Sequence, residues 1–198
     1  MSCISLDRQD LDALIAASVP FIRINGASKE AWCRLIVDEK DGRVGPWEFR
    51  AQFDVICDGT WRREGEVLYF VTDADGDLRL VGQSMSKLNG RWKTVPMYSS
   101  ASKQPLGRKA LFHTSSWPAI ERGLRSSEVP PFTVSAIFRA DLEKVCHSAK
   151  GALKGCLEIP EVGRQRLSYH VETWVCKIDH RPKPLWNKDK VPREYRDT

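Results

Sequence analysis

The sequence predicts an α+β fold, and three stretches carry that expectation. Val67-Leu68-Tyr69-Phe70-Val71 and Leu80-Val81-Gly82-Gln83-Ser84 flank Asp73-Ala74-Asp75-Gly76-Asp77. Two apolar arms around an Asp-Gly pair, which tolerates positive φ, read as a tight hairpin. Residues 47–57 alternate, with Trp47, Phe49, Ala51, Phe53 and Val55 on one side and Glu48, Arg50, Gln52 and Asp54 on the other. That period of two predicts a half-buried antiparallel strand. Leu167, Val171, Trp174, Val175 and Ile178 follow the spacing of one buried helical stripe, so a helix is expected from about Arg166 to Ile178. Glu172 falls on the flank of that stripe.

The remaining elements follow in order. Leu11, Leu14 and Ile15 share a face of a short helix between Leu6 and Ala17, capped by Ser5 or Asp7. Strands are expected at Phe21–Ile24 and Ala31–Val37, with turns at Asp41-Gly42, Gly45-Pro46 and Asp58-Gly59. Ser84 is a candidate cap for a helix through Leu88 to Trp92. From Val95 to Thr114 the chain is polar, with Lys103, Arg108 and Lys109 among Ser, Pro and Gly. A loop of that length inside a compact domain is usually functional or mobile. Ser116 opens a helix, Phe132–Phe138 is a strand, and Asp141 caps a helix toward Leu153. The tail from Arg181 onward is extended and basic. The expected division is a β-rich lobe over residues 1–63 and a core over 64–198.

The totals exclude some classes. No run approaches the roughly 20 apolar residues of a membrane span, and residues 1–7 lack the basic and apolar blocks of a signal peptide. The six cysteines are scattered without a C-x-x-C pair. That argues against a zinc site and suits free thiols in a reducing compartment, so a cytoplasmic address is expected. A net charge of +5 is compatible with a polyanionic partner without demanding one.

Hairpin, helix, strand, helix with a flanking Glu and an Asn-containing tail, in that order, resemble the GIY-YIG nuclease superfamily. Val67-Leu68-Tyr69 stands where the family has Gly-Ile-Tyr, and Leu80-Val81-Gly82 where it has Tyr-Ile-Gly. Arg91 matches the family's helix arginine and Glu172 its metal-binding glutamate. Pro184-Leu185-Trp186-Asn187 resembles the family's closing Pro-x-x-Asn. The resemblance spans about residues 66–188 and implies a small three-stranded sheet flanked by helices. It departs at Leu80, which replaces the second tyrosine. Arg79, Lys87 and His113 are candidates to take over that phenol's role. The long spacing from Arg91 to Glu172 implies an insertion, which suits the restriction-endonuclease branch, as does an N-terminal lobe that contacts DNA.

What the resemblance implies is a Mg²⁺- or Mn²⁺-dependent endonuclease acting on double-stranded DNA. Mg²⁺ often takes only one or two protein carboxylates, so Glu172 alone would hold it. Tyr69 would accept or relay the nucleophile's proton, Arg91 would fork onto the scissile phosphate, and Asn187 would fix the site's geometry. Lys87, Lys103, Arg108 and Lys109 would contact the DNA backbone, which positions DNA without reading it. Cutting both strands calls for a homodimer or two sequential events. The residues also fit blander roles: Tyr69 a core tyrosine, Arg91 a solvated cation, Glu172 an ordinary helix charge and Asn187 a turn residue. A binding domain with a degenerate core, favoured by Leu80, and a repair, mobile-element or toxin nuclease are the alternatives, beside a module docking an acidic partner through its tail.

Overall fold

In the computed structural model the described residues are 6–27, 34–38, 43–46, 51–92, 116–125, 128–149, 152–158, 166–180, 183 and 185–187. They form an α+β unit whose main sheet is five-stranded rather than three-stranded. Its strands are β1 (Val19–Ala27), β4 (Ala51–Val55), β5 (Val67–Thr72), β6 (Leu78–Ser84) and β7 (Phe132–Phe138). They are ordered β4-β1-β7-β5-β6, and all their pairings are antiparallel. A separate pair joins β2 (Arg34–Asp38) and β3 (Arg43–Pro46), so Gly45-Pro46 closes a strand instead of making a turn.

The two extra strands come from the N-terminal part of the chain. Strand β7 pairs with β5 along one edge and with β1 along the other, Val134 facing Val71 and Ile22 respectively. The sheet therefore crosses the boundary expected near residue 63. This pairing joins segments more than a hundred residues apart, and no local pattern encodes it. Strand β4 is the far edge. Of its expected apolar side, Phe53 packs inward and Val55 remains exposed, because an edge strand has less core to cover.

Helices lie on both faces. On one, α1 (Arg8–Ala16), α5 (Arg139–Ser148), α6 (Ala152–Gly155) and α7 (Leu167–Val175) enclose Leu14, Leu68, Phe70, Val81, Ile137 and Val171. On the other, α3 (Leu88–Trp92) and α4 (Ser116–Arg125) cover Phe21, Tyr69, Val71, Leu80, Trp92 and Ile120. A further short helix, α2 (Asp58–Arg62), begins at the expected Asp58-Gly59 turn.

Local chemistry explains several boundaries. Asp7 caps α1 through a reciprocal box with Asp10: the Asp10 N–H donates to Asp7 Oδ1 at 2.9 Å and the Asp7 N–H to Asp10 Oδ2 at 3.3 Å. Asp141 is not a cap, because α5 begins two residues earlier with Phe138 at the cap position. It sits in the first turn, where a carboxylate suits the helix dipole. Ser84 ends β6 instead of capping α3, and its Oγ accepts the Ser86 N–H at 3.1 Å. Gly76 takes φ of 87° in the hairpin turn, a conformation that glycine adopts without a Cβ penalty.

Candidate active site

Strand β5 is buried along its whole length. Its alternation sends Leu68 and Phe70 to the face under α7, and Val67, Tyr69 and Val71 to the face under α3 and α4. Tyr69 is 1% exposed. Its ring meets Trp92 edge-on, with centroids 5.3 Å apart, a geometry contributing about 1 kcal/mol beyond burial. It lies across the opposing Gly82, where a Cβ would come within 2.3 Å of the Tyr69 Cζ and hydroxyl. The missing side chain at Gly82 therefore gives the phenol its course over β6.

The hydroxyl meets two partners. Arg91 on α3 donates from Nη2 to the Tyr69 oxygen at 3.1 Å. Ser116, the first residue of α4, lies with its Oγ 2.9 Å from the same oxygen. Because Arg91 only donates, the phenol's own proton can point to Ser116. The result is a short directed chain, guanidinium to phenol to serine. The sequence marks Ser116 only as a helix start. A serine 47 positions from Tyr69 carries no local signal of this contact.

Glu172 lies on α7, which packs beneath β5 and β6 on the opposite face from Tyr69. Its side chain is buried, with 6% of the residue exposed. Tyr69 and Arg91 are thus brought together, while Glu172 approaches the sheet from beneath. The sheet lies between them, so Glu172 is not brought to the Tyr69–Arg91 pair.

The outer edge of β6 is held by the C-terminal segment. The Asn187 carboxamide pairs with both backbone groups of Val81: Oδ1 accepts its N–H at 3.0 Å and Nδ2 donates to its carbonyl at 2.6 Å. The Trp186 N–H donates to the Arg79 carbonyl at 2.7 Å. Leu185 enters the core beneath the sheet, whereas Trp186 packs on the other face against Phe132 and Gly123. Adjacent residues thus straddle β6 as a strand would, and Asn187 acts as a peptide mimic that occupies the edge.

The other candidates lie apart from the phenol or are undescribed. The Arg79 side chain is 4% exposed, ion-paired with Glu128, and its guanidinium stands 5.4 Å from the Trp186 ring centroid. Lys87 is exposed, 3.6 Å from Glu64. Lys103, Arg108, Lys109, His113 and the loop 95–114 lie outside the described residues, as do Trp47 and the tail beyond Asn187.

Besides Glu172, the hairpin turn offers carboxylates that a cation could share. Oxygens of Asp73, Asp75 and Asp77 lie within 4.8 Å of one another. Lys183 already stands among them at 3.1, 2.7 and 3.0 Å. Hydrogen bonds that the Lys183 ammonium donates to the carboxylates, Asp75 first, raise the Lys183 pKa well above the ordinary lysine value. Hydrogen bonding to Lys183 correspondingly holds the Asp75 carboxyl below its usual range. This ammonium offsets part of the turn's negative charge and ties Lys183 to it. Among the described residues, no helix is long and apolar enough to cross a membrane.

No protein-family model, curated protein or solved structure matches the chain.

Proposed function

We propose that the chain is a metal-dependent endonuclease of the GIY-YIG type, cutting double-stranded DNA as a restriction enzyme does. The observation that carries this reading is the contact between Arg91 and the Tyr69 hydroxyl, made over a glycine on the neighbouring strand. A permanent cation beside a phenol suits a phosphodiester: the guanidinium can fork onto the phosphate while the phenol handles a proton.

On this reading the phosphate would have to be served by Tyr69 and Arg91 from one face of the sheet and by Glu172 from the other. Glu172 would hold Mg²⁺ or Mn²⁺. One buried carboxylate completed by waters is an acceptable hard-oxygen donor set for either ion. When bound, the metal would polarise the phosphate and stabilise the departing oxygen. Arg91 orients Tyr69 and faces the phosphate charge. Ser116 fixes the phenol's direction, and Asn187 with Trp186 keeps β6 in place beneath it. Lys87 is exposed beside α3 and free to reach a DNA backbone once it leaves Glu64. A homodimer would supply the second cut.

A specific observation favours a second reading, a nucleic-acid-binding domain without chemistry: Tyr69 is almost wholly buried and its hydroxyl has partners inside the protein. Incubating supercoiled plasmid with the protein and Mg²⁺ or Mn²⁺ separates the two. Nicked or linear product that EDTA abolishes supports the nuclease; DNA retention in a gel shift without any cleavage supports the binding domain.

A further inference from the structure

Three strands end together near the Tyr69–Arg91 pair. Val67 opens β5 and pairs with Ser84 at the end of β6 and with Phe138 at the end of β7. Most of the charge around this end is matched. Arg62 lies 2.9 Å from Asp58 and Lys87 3.6 Å from Glu64, and Arg139 pairs with both Glu66 and Glu143. The start of α7 is matched too, because the Glu66 carboxylate accepts the Ser168 N–H at 2.8 Å.

Two exposed arginines beside these groups differ, Arg63 and Arg166. Among the described residues neither has a carboxylate at ion-pairing distance, and each is held in place by a neutral group. The Arg63 guanidinium lies over the Phe138 ring, 3.9 Å from its centroid. Asp141 feels the Arg63 charge, but its hydrogen bond comes from Lys144 at 2.8 Å. Arg166 Nη1 donates to Gln83 Oε1 at 3.3 Å. A guanidinium positioned by an aromatic face or an amide keeps its charge for an outside anion. The two also take opposite sides of the ladder. Phe138 belongs to the Tyr69 face, whereas Gln83 pairs with Leu68 of the α7 face. Two strand spacings, about 10 Å, separate Phe138 from Ser84.

We propose that Arg63 and Arg166 bracket this end of the sheet as a contact surface for the phosphate backbone of double-stranded DNA. This rests on the DNA partner proposed above, and it does not require cleavage. About 10 Å covers roughly three nucleotide steps of one strand along the duplex axis, so the two guanidiniums meet separate phosphates. Their planar forks match phosphate oxygens in pairs. Such contacts position the duplex beside Arg91 of α3, which starts at Leu88, and carry no sequence preference.

The test is binding of a fluorescently labelled duplex, followed by anisotropy in EDTA over a series of salt concentrations. EDTA removes metal-dependent cutting, so the assay reads binding whether or not the protein is a nuclease. Wild-type affinity should fall as salt rises, and log affinity against log salt gives a slope. Arg63→Gln and Arg166→Gln should each flatten that slope by about 0.9, and the double variant by about 1.8, for duplexes of unrelated sequence alike. Lys177→Gln, an exposed position just past the other end of α7, should keep the wild-type slope. An unchanged slope in the double variant would overturn the proposal and leave the nuclease reading untouched. Flattened slopes in a protein that never cuts plasmid would support the proposal while that reading falls. A wild type that binds no duplex at low salt, or binds only polyglutamate, would also overturn it, the latter by assigning the arginines to an acidic protein.

Discussion

Arg91 on α3 donates to the hydroxyl of Tyr69 on β5 across 3.1 Å, and the end of the ring carrying that hydroxyl lies over Gly82 of β6. Three elements therefore meet at one phenol, and a change in any of them should be felt by the others.

Gly82→Ala should be the most disruptive small substitution at the site. Its new methyl would fall within 2.3 Å of the Tyr69 Cζ, and the ring cannot retreat because Trp92 packs against it. Overpacking of this kind costs about 1–3 kcal/mol. Urea denaturation of the variant should show that loss, together with an altered tyrosine near-UV signal. An unchanged midpoint would mean that Tyr69 has room to move.

Asn187→Ala should reduce stability whether or not the protein cuts DNA. It removes a donor and an acceptor from the edge of β6 and leaves both backbone groups of Val81 without their partner. The expected loss is about 1–3 kcal/mol, with faster amide exchange at Val81. If Asn187 acted only in chemistry, the thermal midpoint and the exchange rate at Val81 would both stay at their wild-type values.

These two residues also show how far sequence reasoning reached. Hairpin, strand β7, α1 and the last helix are written in local periodicity and turn chemistry, and all four were legible. The pairing of β1 with β7 was not, because it joins distant segments and depends on which edges remain open after the hairpin forms. Asn187 was singled out by motif, but its bond to Val81 depends on a tail that folds back over an edge. Ser116 was visible only as the start of a helix, and its contact with Tyr69 exists only after α4 packs on the sheet.

His180 should make stability fall on the acid side of neutrality. Burial holds its pKa below the ordinary histidine value, opposed by the bond to the Val175 carbonyl. Its Nε2 lies 2.9 Å from that carbonyl, while the buried Nδ1 has no partner among the described residues. The folded state therefore favours the neutral ring. The contribution is fully present above the unfolded value of about 6.5 and is lost as pH falls through the lower folded value. Thermal midpoints measured from about pH 7.5 down to about pH 5 should drop more steeply for wild type than for His180→Gln. Parallel curves would assign the acid sensitivity elsewhere.

Lys183→Met should loosen the tail by leaving Asp73, Asp75 and Asp77 without their shared ammonium. Mutual repulsion in the turn then becomes salt-dependent. The variant's thermal midpoint should rise with added sodium chloride more than that of wild type. Equal salt responses would show that solvent already screens the three carboxylates.

If Tyr69, Arg91 and Glu172 serve one phosphodiester site, cleavage of supercoiled plasmid in Mg²⁺ shows it most directly, with Glu172→Gln and Tyr69→Phe beside wild type. Wild type should nick or linearise the DNA. Each variant should lose about 100-fold or more in rate, as removal of a general acid–base or metal-binding group does, while still retaining DNA in a gel shift. Wild-type cleavage that persists in excess EDTA, or in both variants at full rate, would contradict the account.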